Sequence, residues 1–297
     1  MSYLLFLIIL IGMALLLLFH TFWVRTTIAE CRTPLLPKLT LIHITDLHGR
    51  TRFLNGPLHR LINKWQPDLV CVTGDLVQHR GQLDRVMGEI GRIEAREGIF
   101  FVPGNYEREE KRVIGKKRYT DQEYEEMKQV WEGAMRVLEN QGIALPFENK
   151  ILYLYGFDNS AYGNEAYVPQ DREAGPAYTV FLAHSPKIIS YIEESELRAD
   201  LLLTGHTHGG QIRLFGKTWG AYKHFHVGVK PDNRVGLFAI SRGLGTTKLP
   251  VRLGCFPEIT VYRFNSDRIS PSFTNPLPVC HGSFTDCHIL DDMNSVQ

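Results

Sequence analysis

The sequence predicts an α/β domain on a mainly parallel sheet, tethered by an apolar N-terminal helix. Three observations predict it. Short apolar runs rich in β-branched residues alternate with amphipathic helical stretches, the pattern of βαβ units. Several of those runs end in Asp, Asn or His beside glycine, and in parallel sheets sites form at the carboxyl ends of strands. Residues 3–24 contain no Asp, Glu, Lys or Arg.

Tyr3 to Val24 spans 22 residues, about 33 Å as a helix, enough to cross a hydrocarbon core of about 30 Å. A cleavable signal peptide would carry positive charge before the apolar run and small residues at its end. Here no Lys or Arg precedes the run, and Phe19-His20-Thr21-Phe22-Trp23 ends it. The reading is a retained single-span anchor, residues 1–25, with Phe22 and Trp23 at the membrane interface. Arg25, Arg32 and Lys38 follow the span, so the positive-inside rule places a single-pass protein in the inner membrane with its body in the cytoplasm. Residues 26–38 read as a linker, 39–264 as the domain and 265–297 as a polar, poorly ordered tail.

Within the domain, Leu39 to Thr45 reads as a buried strand ending in Asp46-Leu47-His48-Gly49. Pro57 opens a helix with Leu58, Leu61, Ile62 and Trp65 on one face. Asp68 to Thr73 is the next strand, ending in Gly74-Asp75. Leu83, Met87, Ile90 and Ile93 mark a second helix that stops near Gly98. The strand Ile99 to Val102 runs into Pro103-Gly104-Asn105-Tyr106-Glu107. Arg108 to Tyr119 is a charged segment, read as a solvated loop or as a lid whose Lys116, Lys117 and Arg118 meet anionic substrate or lipid headgroups. Thr120-Asp121-Gln122-Glu123 is a capping box for a helix carrying Tyr124, Met127, Trp131, Ala134 and Leu138, expected to end at Gly142. Ile151 to Phe157 is a strand, and Asn159 to Ala177 a long surface loop. Tyr178 to Leu182 is a strand ending in Ala183-His184. A short helix covers Ile188 to Leu197. Asp200 to Thr204 leads into Gly205-His206-Thr207-His208-Gly209-Gly210. Gln211 to Leu214, Val235 to Ser241 and Glu258 to Phe264 complete the strands.

Composition is that of an ordinary globular protein: of 297 residues, 44% are hydrophobic and 22% charged, with formal net charge +1. So balanced a charge argues against general nucleic-acid affinity. The five cysteines show no framework spacing and read as reduced thiols in a cytoplasmic body. Cys280-His281 and Cys287-His288 lie in polar, tail-like sequence, which argues against a structural zinc.

The strand-end residues are Asp46, His48, Asp75, Asn105, His184, His206 and His208. Hard oxygen donors mixed with imidazoles suit Mn²⁺, the first choice, with Fe or Zn²⁺ as alternatives. Seven donors exceed what one ion needs and fit two ions sharing a carboxylate. Two ions about 3.5–4 Å apart clamp a phosphoryl group and activate water at neutral pH.

Asp46-x-His48, Gly74-Asp75, Gly104-Asn105, His184 and Gly205-His206-x-His208 together resemble the five motifs of the calcineurin-like metallophosphoesterases. The resemblance runs from about Leu39 to Phe264. It implies a sandwich of two β-sheets flanked by helices, with two divalent metal ions. It implies that Asp46, His48 and His208 hold one ion and that Asn105, His184 and His206 hold the other. Asp75 would bridge them, and Asp75, Asn105 and His206 would face the reacting phosphorus as catalytic residues. Ser241-Arg242-Gly243-Leu244-Gly245, Pro250-Val251-Arg252 and Pro257-Glu258 resemble a membrane-anchored branch of the family.

One position departs. Tyr106 stands where the family's Gly-Asn-His-Asp/Glu motif has a histidine that protonates the leaving oxygen. An alkoxide leaves poorly without a proton, whereas a phosphate, with a second pKa of about 6, leaves as an anion. With the anchor and the predicted topology, this resembles the family's UDP-2,3-diacylglucosamine pyrophosphatases. It implies a nucleotide-lipid substrate, cleaved to UMP and the acylated sugar 1-phosphate in lipid A synthesis, with Tyr106 as a contact to the diphosphate. A general phosphodiesterase or phosphatase of the same family is the alternative. A metal-poor scaffold for partner binding is a third reading, opposed by the complete ligand set.

Overall fold

Along Leu39–Ile44 successive side chains turn to opposite faces, so Leu39 and Leu41 join one apolar cluster while Ile42 and Ile44 join another. The same split recurs in Leu69 and Cys71 against Val70 and Val72. A strand buried on both faces needs a layer on each side, and that requirement sets the architecture. The computed structural model describes residues 2–112, 114–159, 161–169, 176–266 and 286–291. Two sheets lie face to face with helices outside them, as the resemblance implied.

The first part of the chain supplies β1 (Arg25–Arg32), β2 (Leu39–Ile44), β3 (Leu69–Thr73), β4 (Ile99–Val102) and β5 (Arg136–Val137). Next come β6 (Gln141–Phe147), β7 (Lys150–Gly156), β8 (Ala177–Leu182), β9 (Ala199–Thr204), β10 (Gly228–Pro231) and β11 (Val235–Ile240). The chain returns to the first sheet with β12 (Glu258–Phe264) and β13 (Asp286–Asp291). One sheet has the order β13-β1-β12-β2-β3-β4-β5, the other β6-β7-β8-β9-β11-β10. The central pairs β2–β3–β4 and β7–β8–β9–β11 are parallel, so their carboxyl ends share one edge of the sandwich.

Helices α2 (Leu58–Asn63), α3 (Leu83–Ile90) and α4 (Asp121–Glu132) cover the outer face of the first sheet. Helix α5 (Ile188–Glu194) packs against the second. Thr120 forms the expected capping box with Glu123. The helix stops at Gly133, short of Gly142, because the chain is drawn into pairing with β4 at Arg136–Val137 and with β7 from Gln141 onward.

The N-terminal helix, α1, covers Ser2–Phe22 and stands apart from the sandwich. Its Tyr3–Phe22 stretch has a mean hydropathy of 2.7 and is exposed along most of its length. Only the last turns touch the body. Phe19 meets Phe256 edge-on at 5.5 Å, Arg252 N donates to Thr21 Oγ1 at 2.9 Å, and Arg50 Nη1 donates to Thr21 O at 2.8 Å.

Four expectations are corrected. Residues 26–32, read as linker, belong to β1, which pairs in parallel with β12. In the tail, 286–291 form β13, antiparallel to β1; residues 267–285 and 292–297 lie outside the described residues. This pairing makes Cys31 and Cys287 register partners with Cα atoms 4.1 Å apart, joined as a disulfide where reduced thiols were expected. The charged segment Arg108–Tyr119 contains a hairpin, Glu109–Lys111 with Lys116–Arg118.

Trp131 is 1% exposed and packs edge-on against Phe101 and Tyr124. Trp131→Ala should cost about 3–5 kcal/mol, the usual range for truncating a buried aromatic. Urea unfolding of the detergent-solubilised chain measures it; a loss within the scatter expected of a surface substitution would contradict this packing.

Candidate metal centre

The shared edge gathers all seven predicted ligands. Asp46 and His48 follow β2, Asp75 follows β3, Asn105 follows β4, His184 follows β8, and His206 and His208 follow β9. They form two groups. In the first, Asp46, His48 and His208 offer ligand atoms within 4.8 Å of one another; in the second, Asp75, His184 and His206 do so. Asn105 joins the second, its Oδ1 3.2 Å from His184 Nε2. Asp75 Oδ2 lies between the groups, 3.6 Å from His48 Nε2 and 3.3 Å from His184 Nε2, the position of a shared carboxylate.

The loops hold these side chains by unusual backbone. Asp46, His48, Asp75, His206 and His208 have φ of 52°, 47°, 58°, 66° and 52°, in the left-handed region. Each such residue costs on the order of 1–3 kcal/mol and persists where its surroundings fix it. Gly74, at φ 83°, is required by close approach: a Cβ there would lie 2.6 Å from Gly104 Cα and from His184 Nδ1.

One oxygen of each carboxylate is occupied and the other is presented. Asp46 Oδ2 accepts from His206 N at 2.9 Å and from Thr45 Oγ1 at 3.0 Å; Asp75 Oδ1 accepts from Tyr106 N at 2.9 Å. Asp46 Oδ1 is buried without a hydrogen-bond partner, and His48 Nε2 and His208 Nε2 are 3.0 Å apart beside it. Lone pairs turned toward one point without protons to share are what a cation satisfies. The residues therefore fit a metal in each group. His184 Nδ1 lies 2.7 Å from Thr73 O, which can accept only; the ring donates there and leaves Nε2 free to ligate.

Electrostatics agree at three of the ligands; at His184 burial works downward but the adjacent Asp75 carboxylate raises it to about 10, a proton that a bound cation would displace. Burial pulls His48 down to about 4 and His206 down to about 3, so both imidazoles stay neutral and able to ligate. Burial pushes Asp46 up to about 7, a penalty that a bound divalent cation would reverse.

Sequence reasoning missed Glu107, although it had quoted the residue in its motif. Its buried carboxylate accepts from Asp75 N at 2.8 Å, Gly104 N at 2.7 Å and Leu76 N at 2.8 Å, tying the β3 and β4 loops together. Arg252 was missed as well. Fully buried, it donates to Gly245 O at 2.6 Å and Arg242 O at 2.8 Å and lies within 3.4 Å of His208 O. Tyr222 was missed too; its hydroxyl is 3.4 Å from His206 Nε2.

The four expected substrate contacts separate. Tyr106 meets the His48 ring edge-on, with centroids 4.9 Å apart. Lys116 Nζ lies 4.8 Å from the centre of the Tyr106 ring and pairs with Glu109, which in turn accepts from Asn105 Nδ2 at 3.2 Å. Lys117 points away, paired with half-buried Glu123 at 2.7 Å. Arg118 stacks on Tyr162, its Cζ 4.9 Å from the ring centre, at a separate hollow with Arg108 and Tyr124.

The profile of the calcineurin-like phosphoesterases matches residues 39–210, the stretch that carries every ligand. The chain belongs to this family. YpbG of Bacillus subtilis (strain 168), an uncharacterized protein, is 30% identical over 225 residues, covering 75% of this chain and 79% of its own. YkoQ of the same organism, an uncharacterized metallophosphoesterase, is 25% identical over 77% of this chain and 85% of its own. A Bos taurus transmembrane protein with metallophosphoesterase domain is 24% identical over 76% of this chain and 53% of its own. As a calcineurin-like phosphoesterase with two metal-binding groups, the protein is a metal-dependent phosphoester hydrolase.

Glu107→Gln places an amide N–H₂ against backbone donors and should lower metal affinity about 10–100-fold, the range for outer-shell partners of metal ligands. Isothermal titration of the apo protein with Mn²⁺ measures this. Wild-type affinity would show that the Glu107 clamp is dispensable.

Proposed function

We propose that this phosphoesterase is a membrane-anchored pyrophosphatase that cleaves UDP-2,3-diacylglucosamine to UMP and 2,3-diacylglucosamine 1-phosphate in lipid A synthesis, with Mn²⁺ in both sites. The observation that carries the reading is Tyr106, seated against metal ligand His48 where a general acid would otherwise stand. A phenol hydroxyl is a poorer general acid than an imidazolium in that place. A nucleoside monophosphate leaving from a diphosphate needs no such donor.

Two features of the surroundings support an anionic, membrane-borne substrate. A cleft of about 630 Å³ opens beside His48, lined by Arg50, Arg52, Arg85 and Arg92 with Asp84 and Glu89 among them. Guanidinium groups suit phosphate oxygens. Arg50 also binds the carbonyl of Thr21, so this cleft adjoins the end of α1.

Divalent ions, when bound by Asp46, His48 and His208 and by Asn105, His184 and His206 around Asp75, activate water and stabilise charge spreading at phosphorus. This chain's own residues do the positioning. Asn105 is fixed by Glu109, and His206 by the Tyr222 hydroxyl and the hydrogen bond from its N–H to Asp46. Tyr106 closes the His48 side and, with its hydroxyl 3.4 Å from Thr247 Oγ1, presents a neutral polar group to the diphosphate.

Arg25, Arg32 and Lys38 after the span support a cytoplasmic body, where cellular thiols would open the Cys31–Cys287 bond. Alkylation of intact cells followed by peptide mapping tests this. Free Cys31 and Cys287 are expected; a linked pair in protein from growing cells would put the body outside and remove the lipid A reading.

The chemistry is tested by leaving group. Wild type should hydrolyse UDP-diacylglucosamine and acidic aryl phosphodiesters and react poorly with alkyl phosphomonoesters. Tyr106→His should improve the alkyl substrates selectively, by at most the roughly 10²–10⁴-fold typical of acid–base catalysis. A wild-type preference in kcat/KM for the alkyl ester would move the general phosphatase reading ahead.

A further inference from the structure

The hairpin after the His206–His208 loop carries apolar side chains that the body does not cover. Its short strands are Arg213–Leu214 and Lys217–Thr218. Phe215 at its tip is 99% exposed, Trp219 is 65% exposed, and neighbouring Leu249 is 55% exposed. Groups of that size left in water mark an interaction surface.

Their place in the fold says which one. Arg213 N donates to Leu253 O at 2.8 Å, and Gly254 N, the next residue, donates to His20 Nδ1 in the last turn of α1 at 2.9 Å. Gln211 Nε2 donates to Leu249 O at 3.0 Å, fixing the second apolar segment to the same base. The hairpin thus springs from the loop that grips the membrane helix where it meets the body. Charge agrees. Residues 209–223 contain Arg213, Lys217 and Lys223 and no Asp or Glu; residues 242–257 contain Arg242, Lys248 and Arg252 and again no Asp or Glu. Lys217, Lys223 and Lys248 are exposed among Phe215, Trp219 and Leu249. Aromatic and aliphatic tips interleaved with lysines, free of carboxylates, fit the interface of an anionic bilayer.

We propose that Phe215, Trp219 and Leu249 insert into the headgroup layer of the same anionic membrane that α1 spans, with Lys217, Lys223 and Lys248 on its phosphates. The body then has a second attachment and a fixed tilt. The attachment reaches the metal centre directly, since Thr218 Oγ1 donates to Gly209 O at 3.2 Å and Tyr222 touches His206. A phosphate borne on a bilayer lipid is presented to the site at the height this hairpin sets. The inference rests on α1 crossing the membrane and is independent of the substrate's identity.

The test uses the full chain with Cys31→Ser, Cys280→Ser and Cys287→Ser, reconstituted in phosphatidylglycerol-containing vesicles. Cysteines introduced singly as Phe215→Cys, Trp219→Cys, Leu10→Cys and Glu148→Cys carry an environment-sensitive fluorophore. Phe215 and Trp219 are exposed, so neither label disturbs the core. Labels at 215 and 219 should emit to the blue of the label at 148. They should be quenched by lipids spin-labelled near the headgroup, with the quenching weakened by salt as exposed charges are screened. The label at 10 should be quenched by deep spin labels. Water-like emission and no quenching at 215 and 219, with position 10 quenched, overturns the hairpin contact and leaves the anchor standing. Loss of quenching at position 10 as well overturns the anchorage and the inference with it.

Discussion

Asp46, Asp75 and Glu107 are three carboxylates buried at one edge of the sandwich, and the structure there depends on how their charge is met. Each buried charge left unpaired is costly. Glu107 is met by three backbone N–H groups, and Asp75 by Tyr106 N on one oxygen and His184 on the other. Asp46 keeps one oxygen without a hydrogen bond. Two cations would complete this arrangement, which accounts for left-handed backbone at five of the seven candidate ligands. The same charges would repel one another without metal, so metal binding and the order of these loops are coupled.

Arg252 links that edge to the apolar N-terminal helix. Its guanidinium fills the 242–255 loop with hydrogen bonds to carbonyls, and its own N–H binds Thr21. On the other side Arg50, two residues after ligand His48, binds Thr21 O and lies over the Phe22 ring at 4.4 Å. The end of α1 is therefore held by both loops that flank the first metal group. Burial lowers Arg50 to about 10, which still leaves it charged at neutral pH.

All seven candidate ligands are legible in the sequence as Asp, Asn and His at strand ends, most of them near a glycine. Central strands such as Leu69–Thr73 and Ala199–Thr204 were legible because both faces are buried, giving continuous apolar runs. What escaped depends on distance or direction. Strand Arg25–Arg32 reads polar because it lies near the sheet edge, and its partners start at Glu258 and Asp286, too remote in sequence to infer. The Cys31–Cys287 register follows from that pairing alone. Hairpin Glu109–Arg118 has charges on both strands and no apolar alternation. Glu107 and Arg252 were visible as residues, but their roles come from carboxylate and guanidinium groups turned inward to backbone, which spacing does not reveal. Lys116 and Lys117 are adjacent in sequence, yet the strand sends one toward Glu109 near the site and the other outward to Glu123.

Asp75 should hold two cations between it and the flanking histidines at the junction of the sheets. Anomalous diffraction from Mn²⁺-loaded crystals, collected at the manganese edge, tests it most directly. Two peaks are expected, about 3.5–4 Å apart, one contacting Asp46, His48 and His208, the other Asn105, His184 and His206, with Asp75 touching both. A single peak at saturating Mn²⁺, or two peaks with Asp75 contacting only one, would contradict the account.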